Sequence, residues 1–321
     1  MNNNDALYLG IQEHMKIYNK PIFKIVNSTG LVKSLNNQLI MEYSEKYIED
    51  LANHEGKICV LYHHMDEGFV GFVVAAFKCH VKILIRRTSL DNQEELKKDV
   101  AFLQKILPVN LVFTDTDLIE IATDDVQGQE CKSNILDTKE FDFIQLSSGT
   151  TDSSKAFCLK LEGLIESARH IQSVHHVGTE SVFLSYLTMS HIYGFVSGFL
   201  LPIIAHATGI ICKTNDIKND PQLLFDLLSD EDVTHVSAIM STLQLGLKEK
   251  KKKWNLSKLK CVSLGGEKVD FSIYNYLLCE MMQLGMPSTS LVNSYGMSEK
   301  GSITMEDPHI GNSLYYKENN G

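Results

Sequence analysis

Arginine is scarce in this chain: of 30 basic residues in 321, only Arg86, Arg87 and Arg169 carry a guanidinium. Arginine is the side chain that grips phosphate backbones bidentately. Acidic residues outnumber basic ones, 40 to 30, for a net charge of −10. Nucleic acid is therefore not expected as a partner. Metal-type cysteine spacing is also missing. The seven cysteines, at 59, 79, 131, 158, 212, 261 and 279, form no CxxC pair, and such a scattered, odd set reads as reduced thiols in a cytoplasmic protein. The opening residues, MNNNDALYLGIQEHMKIYNK, hold no continuous apolar stretch, so no signal peptide is expected. The uncharged segment Phe195–Cys212 approaches the lower length limit of a membrane span. It contains Pro202, His206 and two glycines with no flanking basic cluster, and reads instead as a buried helix followed by a strand. No internal repeat is found. The one charge run, Lys248–Lys253, reads as a solvated connector. The signatures G-x-S-x-G, H-E-x-x-H and G-x-G-x-x-G are absent, which argues against serine hydrolases, zinc proteases and dinucleotide enzymes.

What is present is an ordinary globular composition, 44% hydrophobic and 22% charged. At roughly 150 residues per domain the length suggests about two domains. Apolar runs alternate with amphipathic stretches. Residues 39–53, 68–79, 92–106 and 161–176 read as helices, and 57–63, 81–85, 110–114, 143–146 and 181–187 as strands. Further on, 221–229 and 273–285 read as helices, with strands at 235–239 and 259–264. This alternation predicts an α/β fold with a mostly parallel sheet. The polar, acidic stretch 115–140 is the expected boundary, giving one subdomain over 1–140 and a second over 141–321.

Four segments carry chemistry. Ile144–Phe157 (IQLSSGTTDSSKAF) runs a strand into six hydroxyls, one glycine and Lys155. Backbone N–H groups of such a turn can face phosphate oxygens, and a lysine adds a compact charge. Ser190–Phe195 (SHIYGF) places His191, an aromatic and a glycine after a strand. Val262–Glu267 (VSLGGE) puts two glycines where a ligand could approach the backbone closely. In Asn293–Glu299 (NSYGMSE), Tyr295 offers a stacking face, Gly296 a sharp bend and Glu299 a ligand for a hard cation.

In order and spacing these segments resemble the adenylate-forming (AMP-binding) superfamily of acyl-CoA synthetases, fatty-acyl-AMP ligases, luciferase-like enzymes and peptide-synthetase adenylation domains. Ser147–Lys155 is similar to the family's phosphate loop, [ST]SG[ST]TGxPKG, and His191 to the histidine of P-x-x-H-x-x-G. Gly265–Glu267 is similar to the GGE or GGA turn, and Tyr295–Glu299 to YGxTE. Upstream, MEYSEKYIEDLAN resembles the T-Y-x-E-L helix and VGFVVAAFKCHVKILI the helix-to-strand segment A-x-L-A-x-x-K-A-G-A, so the likeness covers residues 20–321.

The resemblance implies two stacked subdomains, each a mixed or parallel sheet with flanking helices, and a nucleotide site between them at the C-terminal ends of the second subdomain's strands. It implies ATP-dependent activation of a carboxylic acid, in which the acid's oxygen attacks the α-phosphorus and pyrophosphate leaves. Ser147, Ser148, Gly149, Thr150, Thr151 and Lys155 would hold the β- and γ-phosphates, and Thr150 and Glu299 would flank Mg²⁺. Gly265, Gly266 and Glu267 would run beside the adenine, with Tyr295 stacked on it and Gly296 next in the turn. His191 would lie near the acyl pocket and the α-phosphate. Amino-acid-activating members carry an Asp near that histidine, and SYLTMSHIYGFVSG has none. The expected substrate is thus a fatty, aryl or other acid without an amino group. CoA or the phosphopantetheine of an acyl carrier protein is the implied acceptor.

The chain departs from the family at Asp152, Ser154 and Ala156, where the loop usually has glycine, proline and glycine. Asp152 adds negative charge beside a phosphate site. No TGD motif follows the tail HIGNSLYYKENNG, and no lysine matches the catalytic one of the small C-terminal lid domain, which is expected to be missing. Two other readings stay open: a non-catalytic nucleotide- or acyl-binding module, and a subunit that needs a separate lid protein.

Overall fold

The computed structural model describes residues 11, 20–27, 29–63, 65–86, 93–115, 117–121, 141–146, 156–248, 253–297, 301–307 and 311–316, with side chains left aside at 295, 297 and 301–316. The chain divides into two compact units, Met1–Ile17 with Asn37–Gly163, and Tyr18–Asn36 with Leu164–Gly321. The second unit begins with a hairpin, β1 (Phe23–Asn27) and β2 (Gly30–Leu35). Asn27 starts its turn by accepting the Thr29 N–H at 2.8 Å, and Gly30 takes φ +112°, which a Cβ would disfavour.

The first unit is built on β3 (Ile58–Tyr62), β4 (Lys82–Ile85), β5 (Val109–Thr114), β6 (Leu118–Glu120), β7 (Phe143–Leu146) and β8 (Ala156–Leu159). Their order in the sheet is β6-β5-β3-β4-β7-β8. The middle strands are parallel, and β6 and β8 add antiparallel edges. ICVLY on β3 is buried at every position, as expected of a parallel strand covered on both faces. The helix Glu67–Lys78 starts because Asp66 accepts the Phe69 N–H at 3.0 Å. Glu67 in its first turn and Lys78 in its last suit the helix dipole. A Cβ at Gly71 would overlap Tyr43 on the helix Asn37–Leu51, so glycine lets these two helices cross closely.

At one end of this sheet Arg86 donates to Asp99 at 2.9 Å and 2.5 Å, and Tyr62 donates to the same carboxylate at 2.5 Å. Burial pushes the Asp99 carboxyl upward, but the hydrogen bonds from Arg86 and Tyr62 outweigh it and hold the group below the usual range. A depressed folded-state value gives stability that is complete above the unfolded value of about 3.9 and is lost as pH falls through the folded one. Asp99→Asn is therefore expected to be less stable than the parent chain at pH 7, with the gap narrowing at pH 3. Urea midpoints at the two pH values check this, and a gap of constant size would contradict it.

The second unit continues with β9 (Val182–Ser185), β10 (Thr208–Cys212), β11 (His235–Ala238), β12 (Cys261–Leu264), β13 (Leu291–Met297), β14 (Gly301–Asp307) and β15 (Gly311–Tyr316). Among the described residues the sheet runs β15-β14-β13-β12-β11-β9-β10-β1-β2. It is parallel from β13 to β1, with antiparallel strands at both edges. Leu184, Val236, Val262 and Leu264 pack with Leu224, Phe225, Leu243, Trp254, Leu277 and Met281 of the following helices and connectors.

Phe195–Cys212 is the helix and strand read from the sequence. Ile192–Phe195 and Leu201–Ile204 are α-helical, β10 follows, and no described helix is long and apolar enough to cross a membrane. Between the two α-helical turns, Val196–Leu200 is a π turn in which the Leu201 N–H reaches the Val196 carbonyl. Pro202 follows, and having no N–H it cannot supply an ordinary helical bond to Gly198.

The expected boundary at residue 140 is not where the chain divides. β7 lies in the first sheet because Ile83 and Leu84 pair with Phe143 and Ile144, and β8 then pairs with β7. Residues 18–36 belong instead to the second unit, through the pairing of β1 with β10. β7 and β8, the described strands before and after residues 147–155, both lie in the first sheet.

Candidate functional site

The described part of the site lies at the C-terminal ends of β11, β12 and β13 and at the start of the helical segment after β9. Ser147, Ser148, Gly149, Thr150, Thr151, Lys155 and Glu299 lie outside the described residues. His191, Gly265, Gly266, Glu267, Gly296 and the backbone of Tyr295 lie within them.

His191 is the exposed residue just before the helix Ile192–Phe195. Its N–H donates to the Thr188 carbonyl at 3.2 Å, and its own carbonyl accepts from Phe195 at 2.9 Å. This tight entry leaves no room at Gly194, where a Cβ would overlap the Thr188 carbonyl oxygen. The glycine three residues after the histidine is therefore required by the backbone itself.

The two glycines after β12 have different reasons. Gly265 donates its N–H to the Ala238 carbonyl of β11 at 3.1 Å. A Cβ there would meet the Tyr193 ring at 3.1 Å to 3.2 Å. Gly266 has φ +80° and open space around it, so its reason is conformational. Glu267 is already engaged: its carboxylate accepts the Ser241 N–H at 2.7 Å and the Ser241 hydroxyl at 3.1 Å. Ser241 is the second residue of the helix Met240–Lys248, so Glu267 caps that helix from a distance. The backbone of the turn, rather than this side chain, is what remains to face a ligand.

Asn293–Glu299 is expected from sequence to bend sharply at Gly296. Its described part is instead extended in β13, and Gly296 sits where the pairing with β14 shifts register. Such a bulge re-aims neighbouring side chains without ending the strand.

One connection joins the separate segments. The Tyr193 hydroxyl donates to the Ser263 carbonyl at 2.9 Å and lies 3.4 Å from the Ser263 hydroxyl. The Ser263 hydroxyl is 2.6 Å from that of Ser294. Tyr193 follows His191 by two residues, Ser263 precedes Gly265 by two, and Ser294 adjoins Tyr295. Burial pushes the Tyr193 phenol up, against hydrogen bonds with Ser237 and Ser263, so it stays protonated at neutral pH. Sequence reasoning singled out none of these three residues for a role. The available signal was a serine in each of three buried strand segments: Ser237 and Ser263, in register on β11 and β12, and Ser294 on β13. Among the described residues no group of three or more His, Cys, Asp or Glu could hold a metal ion.

A family profile described as AMP-binding enzyme matches residues 53–316, and the chain belongs to that family. Gramicidin S synthase 2 of Brevibacillus brevis is 27% identical over 162 residues, which is 50% of this chain and 4% of that protein. The 2-succinylbenzoate–CoA ligase of Staphylococcus epidermidis is 25% identical over 286 residues, covering 83% of this chain and 55% of the ligase. In fold, the chain is similar to the fatty acid AMP ligase from Legionella pneumophila, with a TM-score of 0.81 at 14% identity, over 98% of this chain and 61% of that structure. The chain thus spans a small part of the synthetase and a little over half of the two ligases. These likenesses bear out the α/β fold and the adenylate-forming family expected from the sequence.

Proposed function

We propose that this chain activates a carboxylic acid with ATP, forming an acyl-adenylate and releasing pyrophosphate. The observation that carries this reading is the hydroxyl chain from Tyr193 through Ser263 to Ser294, which brings the His191, Gly265–Glu267 and Asn293–Gly296 segments to one end of a parallel sheet. Open α/β sheets bind ligands at that end of their strands. The acid's carboxylate is already a nucleophile, so the protein's task is to position it and to offset phosphate charge. On this reading Gly265 and Gly266 present their backbone to the adenine, and Tyr295 stacks on it. His191 faces the reacting carboxylate. Ser147, Ser148, Gly149, Thr150, Thr151 and Lys155 bind the β- and γ-phosphates. Thr150 and Glu299 supply hard oxygen donors of the kind Mg²⁺ prefers, and the ion would offset phosphate repulsion. The acid lacks an amino group on this reading, because the segment SYLTMSHIYGFVSG around His191 holds no Asp to pair with one. CoA or a carrier-protein phosphopantetheine then takes the acyl group, in the cytoplasm.

Hydroxamate trapping tests the reading. The chain is incubated with ATP, Mg²⁺, hydroxylamine and a panel of fatty, aryl and amino acids. Hydroxamate formed with acids that have no amino group is the expected result, and none with any acid would remove the activity. Asp152, in a loop that faces phosphate in the family, favours a second reading, a module that binds nucleotide without turning it over. That reading requires calorimetric binding of ATP with no hydroxamate. A separate lid protein that restores product would assign the chain to a partner-dependent enzyme.

A further inference from the structure

We propose that Tyr193 is a positioning residue for the nucleotide: its hydroxyl, acting through Ser263 and Ser294, sets the spacing of the three segments that meet the ligand. This inference rests on the adenylation reading above and adds to it a residue outside the expected set.

The geometry has two independent parts. The first is steric. The Tyr193 ring lies directly beneath Gly265, so close that a Cβ there would touch it at 3.1 Å to 3.2 Å. The ring therefore fixes the height at which the backbone of Gly265 and Gly266 leaves the sheet. The second is polar. The hydroxyl donates to the Ser263 carbonyl, two residues before Gly265, and the Ser263 hydroxyl meets that of Ser294. Ser263 lies on β12 and Ser294 on the adjacent β13, so this contact sets how far β13 advances relative to the glycine turn.

A phenylalanine would preserve the steric part and lose the polar one. The ring would still support Gly265, but nothing would tie it to Ser263, and β13 could slide relative to the helical segment that starts at Ile192. That segment is itself locked at both ends of its first turns, since a Cβ at Gly194 or Gly198 would overlap Thr188 or Ser185. With the helix held, the expected freedom appears in the turn and in β13, the two elements assigned to the adenine. Burial of the phenol keeps it a neutral donor, so the effect is expected to be constant across neutral pH.

The test is calorimetric titration of ATP with Mg²⁺, and separately of AMP, into the full chain and three variants. Tyr193→Phe removes the hydroxyl, Ser294→Ala breaks the far end of the chain, and Trp254→Phe is the control. Trp254 donates to Asp226 at 2.8 Å in the same unit and belongs to none of the three ligand-facing segments, so its substitution reports on the stability of the core they share. One lost hydrogen bond corresponds to about a five- to tenfold change in affinity. Tyr193→Phe is expected to weaken both ATP and AMP by that factor, because the turn serves the adenine they share. Ser294→Ala should follow in the same direction, which keeps the test open should Tyr193→Phe fail to fold. Trp254→Phe should lower the thermal midpoint and leave both affinities at the parent value. Affinities of Tyr193→Phe and Ser294→Ala within twofold of the parent would overturn the inference while leaving the adenylation reading intact. Equal weakening by Trp254→Phe would also overturn it, by showing a general loss of order. A parent chain that binds neither nucleotide would remove the adenylation reading and this inference together.

Discussion

Replacing Gly194 by alanine is expected to destabilise the chain by about 3 kcal/mol, the upper end of the usual cost of overpacking. The added methyl would overlap the Thr188 carbonyl oxygen and would lie 2.9 Å from the Thr188 carbonyl carbon and 3.1 Å from the Leu187 carbonyl oxygen. All three are backbone atoms, so no side chain can swing aside. Relief requires moving either the turn before His191 or the helix after it. Gly163 supplies the comparison. It lies in the helix Leu161–Val174 with nothing within 4 Å of a built Cβ, and Gly163→Ala is expected to stabilise by about 0.5–1 kcal/mol through helix propensity. Urea denaturation of the two variants should move the midpoint in opposite directions. A Gly194→Ala midpoint equal to the parent's would show that the entry to this helix yields easily. The experiment also separates two reasons for a motif glycine, since the collision exists with no ligand bound.

Lys155→Ala is expected to weaken ATP binding by about 10- to 100-fold with little change in thermal stability. A hydrogen bond to a charged group contributes about 1.5–3 kcal/mol, and each 1.4 kcal/mol is tenfold in affinity. The proposed role places the ammonium on the β- and γ-phosphates, so AMP should bind the variant as it binds the parent. Lys155→Arg should restore affinity only in part, because a planar fork does not reproduce a compact point charge. Parallel titrations of ATP and AMP decide the matter. Equal weakening of both nucleotides would move Lys155 away from the terminal phosphates.

Much of the fold was legible because its strands are short apolar runs with helical spacing between them. ICVLY on β3 and the stretch EGFVGFVVAAFK are unambiguous in that sense. The hairpin β1–β2 escaped notice, since Leu31 and Val32 are both exposed on an edge strand with no alternation. The partner of β1 is β10, and no local pattern names a partner so distant. The boundary misread at 140 has the same origin. Polarity over 115–140 marks a connection, but hydrogen bonds from β4 to β7 decide which sheet the next strand joins. In NSYGMSE the sequence suggests a bend at Gly296, and the extended form of residues 293–297 comes from pairing Ser294 with Met305 and Tyr295 with Thr304.

The site follows the same division. Gly265 and Gly266 announced a turn through residue type alone. Tyr193, Ser263 and Ser294 matter through the register of β12 against β13, which only the assembled sheet reveals. Glu267 was legible as a motif member, yet its bond to Ser241 shows its carboxylate serving a helix end.

The pairing of Phe23 with Gly209 bears on the order in which the protein is born. As the chain leaves the ribosome, the first unit has every described strand of its sheet once Leu159 has emerged. The hairpin made before it must wait for Thr208–Cys212, with the β1 edge unpaired and Phe23, Ile25 and Val26, which the folded chain buries, held in solvent meanwhile. An unpaired edge of this kind invites pairing with a neighbouring nascent chain. Synthesis that stalls between these two points would therefore yield aggregates seeded by the amino-terminal hairpin.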